Sequence, residues 1–158
     1  MDDPGAVLRA LHHAPGAFIM PNPWDAGSAR ILTAVGFEAL ATTSAGFAFA
    51  IGRRDSAAAL PREAVLANAR SIVEATDLPV SADLEDGFGA APQACAETIA
   101  LAAGIGLVGG SIEDATGDSA DPIFEFGLAV ERVAAAAEEA RRHPFLLTAR
   151  TENFLHRR

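Results

Sequence analysis

The sequence predicts an α/β fold built on a parallel sheet. Three observations lead there. Short apolar runs alternate with longer helical patterns, the pattern that pairs strands in parallel through helical crossovers. The interval between successive runs is that of one strand-plus-helix unit, roughly 30–40 residues. Polar residues collect where the predicted strands end, which is where parallel α/β folds bind ligands.

Asp3 and Pro4 form a cap and first turn for a short helix through Leu11. "AFIMP", Ala17–Pro21, reads as the first strand. "DAGSARILTAVG", Asp25–Gly36, opens on a capping Asp and closes on Gly, so it reads as a helix. "ALATTSAG", Ala39–Gly46, reads as the second strand, and a loop with Gly52, Arg53, Arg54 and Asp55 follows. From Pro61 to about Thr76, Val65, Ala69, Ile72 and Val73 fall on one helical face, with Arg70 and Glu74 paired at i, i+4 outside.

"PVSADLE", Pro79–Glu85, is the third predicted strand. An Ala-rich helix runs from Pro92 to about Ala103, and "GLVGGSIED", Gly106–Asp114, is the fourth strand. The polar loop "ATGDSAD", Ala115–Asp121, leads to a helix from about Phe124 to His143, whose basic end suits the negative end of a helix dipole. "PFLLTAR", Pro144–Arg150, is the fifth strand, and "TENFLHRR" carries no clear element. No linker or low-complexity tract divides the chain, so residues 1–158 are expected to form one domain.

Composition narrows the function. The 158 residues are 50% hydrophobic, enough for a core, and carry a net charge of −9 with a pI near 4.8. Nucleic acid is an unsuitable partner for such a balance, because phosphates need a basic face. No apolar run approaches the ~18–20 residues of a membrane span, and "MDDPG" lacks the basic start of a secretory signal. Cys95 is the only cysteine, so no disulfide can form within the chain. The expectation is a soluble cytoplasmic protein.

The strand ends give the candidate site. Thr42, Thr43 and Ser44 end the second strand, Asp83 and Glu85 the third, Glu113 and Asp114 the fourth, Thr148 and Arg150 the fifth, and Asp55 lies in the loop after the second. Residues i and i+2 of a strand point the same way, so Asp83 and Glu85 are expected to aim together, with Leu84 and Asp86 opposite. With Glu113 beside them they repel unless a cation lies between them. An oxygen-rich cluster suits Mg²⁺, with Mn²⁺ as the alternative, better than zinc. Arg150 offers a planar fork for a carboxylate or phosphoryl oxygen, and backbone N–H groups after Thr43 could take a second anionic group.

Blander readings apply elsewhere. Asp86 and Asp114 are expected as turn or cap residues, Asp25 as an N-cap, Trp24 as a packing anchor and Cys95 as a small core residue. His12, His13 and His143 are expected to be uninvolved in chemistry. "GIGLVGG", Gly104–Gly110, enters a strand where a dinucleotide fingerprint would follow one.

"PNPWDAGSARIL", "TTSAGFAFAIGRRDS", "SADLEDGFG", "GSIEDATGD" and "LTARTENF", in this order and spacing, resemble the isocitrate lyase / phosphoenolpyruvate mutase superfamily from about Phe18 to the end of the chain. Each motif alone is weak; five in register are specific. The resemblance implies a (β/α)8 TIM barrel with Mg²⁺ at the carboxyl ends of its strands, and chemistry on C–C or P–C bonds next to the oxo group of a small α-oxoacid. By position it implies that Asp83 ligates the metal directly and that Asp55, Glu85 and Glu113 hold it largely through water. Thr43, Ser44 and Ala45 would hold the substrate carboxylate. Arg150 would bind the substrate's anionic groups and, with Glu113, serve catalysis.

The chain departs from the family pattern in three ways. The loop "ATGDSAD" lacks the cysteine of the lyases' "KKCGH"-like motif, which speaks against their usual acid catalysis. The family's "DxD" is here Asp83-Leu84-Glu85, one methylene longer. The chain stops just after the fifth strand, where a barrel typically needs ~250 residues. The expectation is therefore a partial barrel of about five βα units, belonging to a longer protein or assembling with copies, homo-oligomeric in its full-length form. A non-catalytic remnant that binds metal and a small dianion, and a doubly wound binding domain, are the competing readings.

Overall fold

The computed structural model describes residues 3–55 and 60–156. Ser56 of the loop after the second predicted strand, Met1 and Asp2 at the start, and Arg157 and Arg158 of the tail lie outside them. Four strands form one parallel sheet in sequential order: β1 (Leu40–Ala41), β2 (Val80–Asp83), β3 (Gly109–Glu113) and β4 (Leu146–Arg150). The helices are α1 (Pro4–His13), α2 (Ala26–Val35), α3 (Ser44–Ala50), α4 (Arg62–Val73), α5 (Pro92–Gly104), α6 (Phe126–Ala140) and α7 (Asn153–His156).

The helix ends follow from their caps. Asp25 and Ser28 make a reciprocal capping box at α2, and Gly36 closes it in the left-handed region at φ 101°. Asp3 accepts from the Gly5 N–H at 3.1 Å, and Pro4 fills a first-turn position that needs no donor. Arg70 and Glu74 pair at 3.0 Å as expected. Beyond α6, Arg142 and His143 bind Glu139, each at 2.9 Å, so they serve side chains and not helix carbonyls.

The core explains which face is free. Val80, Ala82 and Ile112 pack with Ala29, Leu66, Ala69, Ile72, Ile99, Ala102 and Ala136, so α2, α4, α5 and α6 cover one face of the sheet. Fully burying a side chain such as Ile99 or Ile112 contributes about 1.5–3 kcal/mol. Gly110 is required there, because a Cβ would lie 2.7 Å from Leu84 Cδ1. On the other face, Leu8 of α1 meets Val108 and Leu146 near the strands' N-terminal ends. Alternation then puts Asp83, Glu113 and Arg150 on the face opposite the helix layer. Strands in sequential order, with α2, α4, α5 and α6 together on one face, lack the reversal of order that marks a doubly wound sheet.

Three local expectations are corrected. Ala17–Pro21 is extended but forms no strand; it meets β1 through the Ala41 N–H donating to the Pro21 carbonyl at 3.1 Å. Pro21 and Pro23 have no N–H to extend a ladder. The expected second strand is only Leu40–Ala41, because Thr43 turns the chain by capping α3, its Oγ1 accepting from Gly46 N at 3.1 Å. Trp24, expected as a packing anchor, is 48% exposed. Among the described residues no helix is long and apolar enough to cross a membrane.

Candidate active site

The free face ends in a cavity of about 590 Å³ at the carboxyl ends of the strands. Of the residues expected from the sequence, Thr43, Ser44, Ala45, Asp55, Asp83, Glu85, Glu113 and Arg150 line it, while Thr42, Asp114 and Thr148 do not. Asp86, Asp118, Glu152 and His156 join them, so among the described residues seven carboxylates face one arginine.

Asp83 is the most heavily held of the acids. Its Oδ2 accepts from Ser44 N at 3.0 Å and Ser44 Oγ at 2.7 Å, and its Oδ1 accepts from Glu85 N at 3.2 Å. Its own N–H donates to Thr42 Oγ1 at 3.1 Å. The buried Thr42 thus orients the acid, a role the sequence reading missed. Ser44 spends its N–H and hydroxyl on Asp83, so the expected anion-binding backbone is partly committed to the acid cluster.

Glu85 reaches the cavity by a different route from the one expected. β2 ends at Asp83, and Glu85 sits in a turn at φ 50°, followed by Gly87 at 79° and Phe88 at 60°. Non-glycine residues enter this left-handed region at a cost and concentrate at functional sites. Because the chain has left the strand, alternation no longer holds: Leu84 is buried, but Asp86 also faces the cavity. Asp86 keeps its expected turn role as well, accepting from Phe88 N at 2.8 Å.

The turn is held from behind by Arg132 of α6, a residue the sequence reading did not single out. Arg132 is 1% exposed. Its guanidinium donates to the carbonyls of Asp86 and Gly89 and lies 4.0 Å from the Phe124 ring centroid.

Glu113 and Arg150 are register partners on β3 and β4, with Oε1 and Nη1 2.7 Å apart. Arg150 Nη2 reaches Glu152 Oε1 at 2.5 Å. Glu152 was also missed; it lies two residues beyond Arg150, past the end of β4. Asp114 has the structural role expected of it, its Oδ1 accepting from Glu152 N at 2.8 Å and its Oδ2 from Thr151 Oγ1 at 2.7 Å.

Crowding of carboxylates shifts their protonation. Burial, then the charges of Asp83, Asp86, Glu113 and Asp55, push Glu85 up to about 7. Burial also pushes Glu113 to about 7, with Asp83, Glu152 and Asp86 adding to it against the pull of Arg150. Burial works against the Arg150 charge, but Glu113, Glu152 and Asp83 outweigh it and hold its proton more tightly than usual.

The donor set bears on a metal. All the candidate ligands are oxygens, which suits a hard cation. Among the described residues no three acidic, His or Cys side chains gather closely enough to hold an ion by themselves. The arrangement does not form a closed protein cage for an ion.

A family model described as phosphoenolpyruvate phosphomutase matches residues 8–158. The chain belongs to the phosphoenolpyruvate mutase/isocitrate lyase superfamily. It is 30% identical over 152 residues to a "Probable 2-methylisocitrate lyase 2" of Corynebacterium glutamicum, covering 92% of this chain and 49% of that protein. The crystal structure of a "putative lyase/mutase" from Burkholderia cenocepacia J2315 superposes with a TM-score of 0.93 at 58% identity, over 98% of this chain and 55% of that one. Oxaloacetate acetylhydrolase in complex with its product oxalate superposes at 0.87 with 27% identity, over 98% and 56%. The chain thus spans about half the length of the curated relatives it matches. The printed names of these relatives are those of a lyase, a lyase/mutase and an acetylhydrolase.

Proposed function

We propose that the cavity belongs to a Mg²⁺-dependent enzyme of lyase or mutase type, acting on a C–C or P–C bond of a small α-oxocarboxylate of the oxaloacetate or phosphonopyruvate kind. One observation carries this reading: Asp83, Glu85, Glu113 and Arg150 surround a single cavity at the carboxyl ends of parallel strands. In the same reading residues 1–158 form one domain, and the sheet is part of a (β/α)8 barrel wall.

Asp83 would hold the ion directly, with Asp55, Glu85 and Glu113 acting through water. When bound, Mg²⁺ supplies Lewis-acid polarisation of an oxo oxygen. The remaining work falls to the chain. Arg150 presents N–H donors to a carboxylate or phosphoryl group. Ser44, beside Asp83, and its neighbours Thr43 and Ala45 would bound the other end of the substrate. Glu113, which burial raises toward neutrality while no cation is bound and which lies against Arg150, is placed to take part in proton transfer at the substrate. Gly117, Asp118 and Ser119 of the loop after β3 line the cavity and would limit water access.

The test is Mg²⁺-dependent release of pyruvate from oxaloacetate and from phosphonopyruvate, with Asp83→Ala as the comparison. Release should fall at least about tenfold in the variant, the size expected when a metal ligand or its orienting partner is removed. Equal rates in the two proteins would remove the proposal.

A further inference from the structure

We propose that Glu152 is a positioning residue that aims the Arg150 guanidinium into the cavity, and that Asp114 holds Glu152 in place. The inference rests on the reading of the cavity as an anion-binding enzyme site.

Arg150 is a long side chain, 49% exposed, on the edge strand β4. A single ion pair leaves such a side chain several rotamers. Here two anchors grip it: Glu113 on Nη1 at 2.7 Å and Glu152 on Nη2 at 2.5 Å. Two separated anchors fix the plane of the fork, and with it the direction of the N–H groups left over. Glu152 is itself fixed. Its side chain is 8% exposed, and Asp114 accepts hydrogen bonds from its backbone N–H and from Thr151 Oγ1.

Charge alone gives Glu152 no reason to be there. An anionic substrate is repelled by a carboxylate beside the one arginine that would bind it. A geometric role accounts for the cost, and it predicts the opposite sign for a mutation. If Glu152 acts only as a charge, removing it tightens anion binding. If it aims Arg150, removing its acceptor oxygens loosens binding although a repulsive charge has gone.

The experiment uses the full chain with Mg²⁺ and oxalate, the product seen in oxaloacetate acetylhydrolase, as the calorimetric probe. Glu152→Ala and Glu152→Gln remove the same charge, but only Gln keeps an acceptor for Nη2. Glu152→Ala should weaken oxalate at least tenfold, and Glu152→Gln should bind as well as the parent or better. ¹⁵N spectra should show separate Arg150 Nη signals in the parent and in Glu152→Gln, averaged in Glu152→Ala. Equal oxalate affinities in the two variants, or separate Nη signals in Glu152→Ala, overturn the proposal. If the parent takes no oxalate while the Nη signals behave as stated, the reading of function falls and the positioning role stands.

Discussion

Glu85 and Glu113 hold their protons to about pH 7 because their cavity is partly buried and already negative. In the unfolded chain both carboxyls return to the ordinary value of 4.5. Each folded value lies above the unfolded one, so the native state binds more protons than the unfolded state between them. Stability from these groups is fully present below the unfolded value and is lost as pH rises through the folded one. The melting temperature should therefore fall from about pH 5 to about pH 8. A dication among the carboxylates would replace the missing protons, so millimolar Mg²⁺ should raise the melting temperature at the upper pH and much less at the lower. NaCl of matched ionic strength should do neither, since screening is weaker for partly buried groups. Thermal melts at both pH values, with each salt, check this; the same melting temperature throughout would show that the acids are not coupled to folding.

The turn after β2 shows how one element delivers the acids. Its left-handed geometry needs Gly87, where φ is 79° and a Cβ would come within 2.8 Å of Cys95 Sγ. Gly87→Ala should destabilise the protein by about 1–3 kcal/mol, from backbone strain plus overpacking. Arg132→Met should cost about 1–3 kcal/mol for each carbonyl, Asp86 and Gly89, left without its donor. Urea unfolding measures both, and a loss below the error of the method in both variants would show that the turn is not fixed by these contacts. Little of this turn could be read from the sequence. Strand alternation placed Glu85 on the correct side for a reason that fails once the strand ends at Asp83, and it put Asp86 on the wrong side. A charge on a helix predicts exposure, so Arg132 could not be seen as buried. The Asp25 cap, the Gly36 stop, the helix before β2 and the last three strands were legible because local chemistry and tertiary packing agree there. "TTSAG" misled because β-branched threonines favour a strand, while the Thr43 hydroxyl was needed as a helix cap. The site's members were legible as residues at strand ends; the bonds among Thr42, Glu152 and their partners depend on contacts between strands that spacing does not reveal.

At the scale of the whole molecule, the sheet has one face under helices and one edge without a partner among the described residues. In β4 the Leu146 N–H and the Arg150 carbonyl are used toward β3, so Leu147 and Ala149 present their backbone groups outward. Ala149 is exposed, and the surface also carries Phe126 at 80% exposure and Phe154 at 90%. An open parallel edge is a template for further strands, and exposed apolar side chains elsewhere on the surface add to the tendency to associate. The 158-residue chain alone should therefore sediment as an assembly heavier than 16.3 kDa and should not unfold as a cooperative monomer. Ala149→Pro removes one outward donor without removing a bond to β3, so it should lower the assembled fraction while leaving the helical circular dichroism unchanged. A monomer with a single sharp melt would show that the β4 edge is protected in some other way, and an assembly indifferent to Ala149→Pro would move the contact from the strand edge to the exposed aromatic residues.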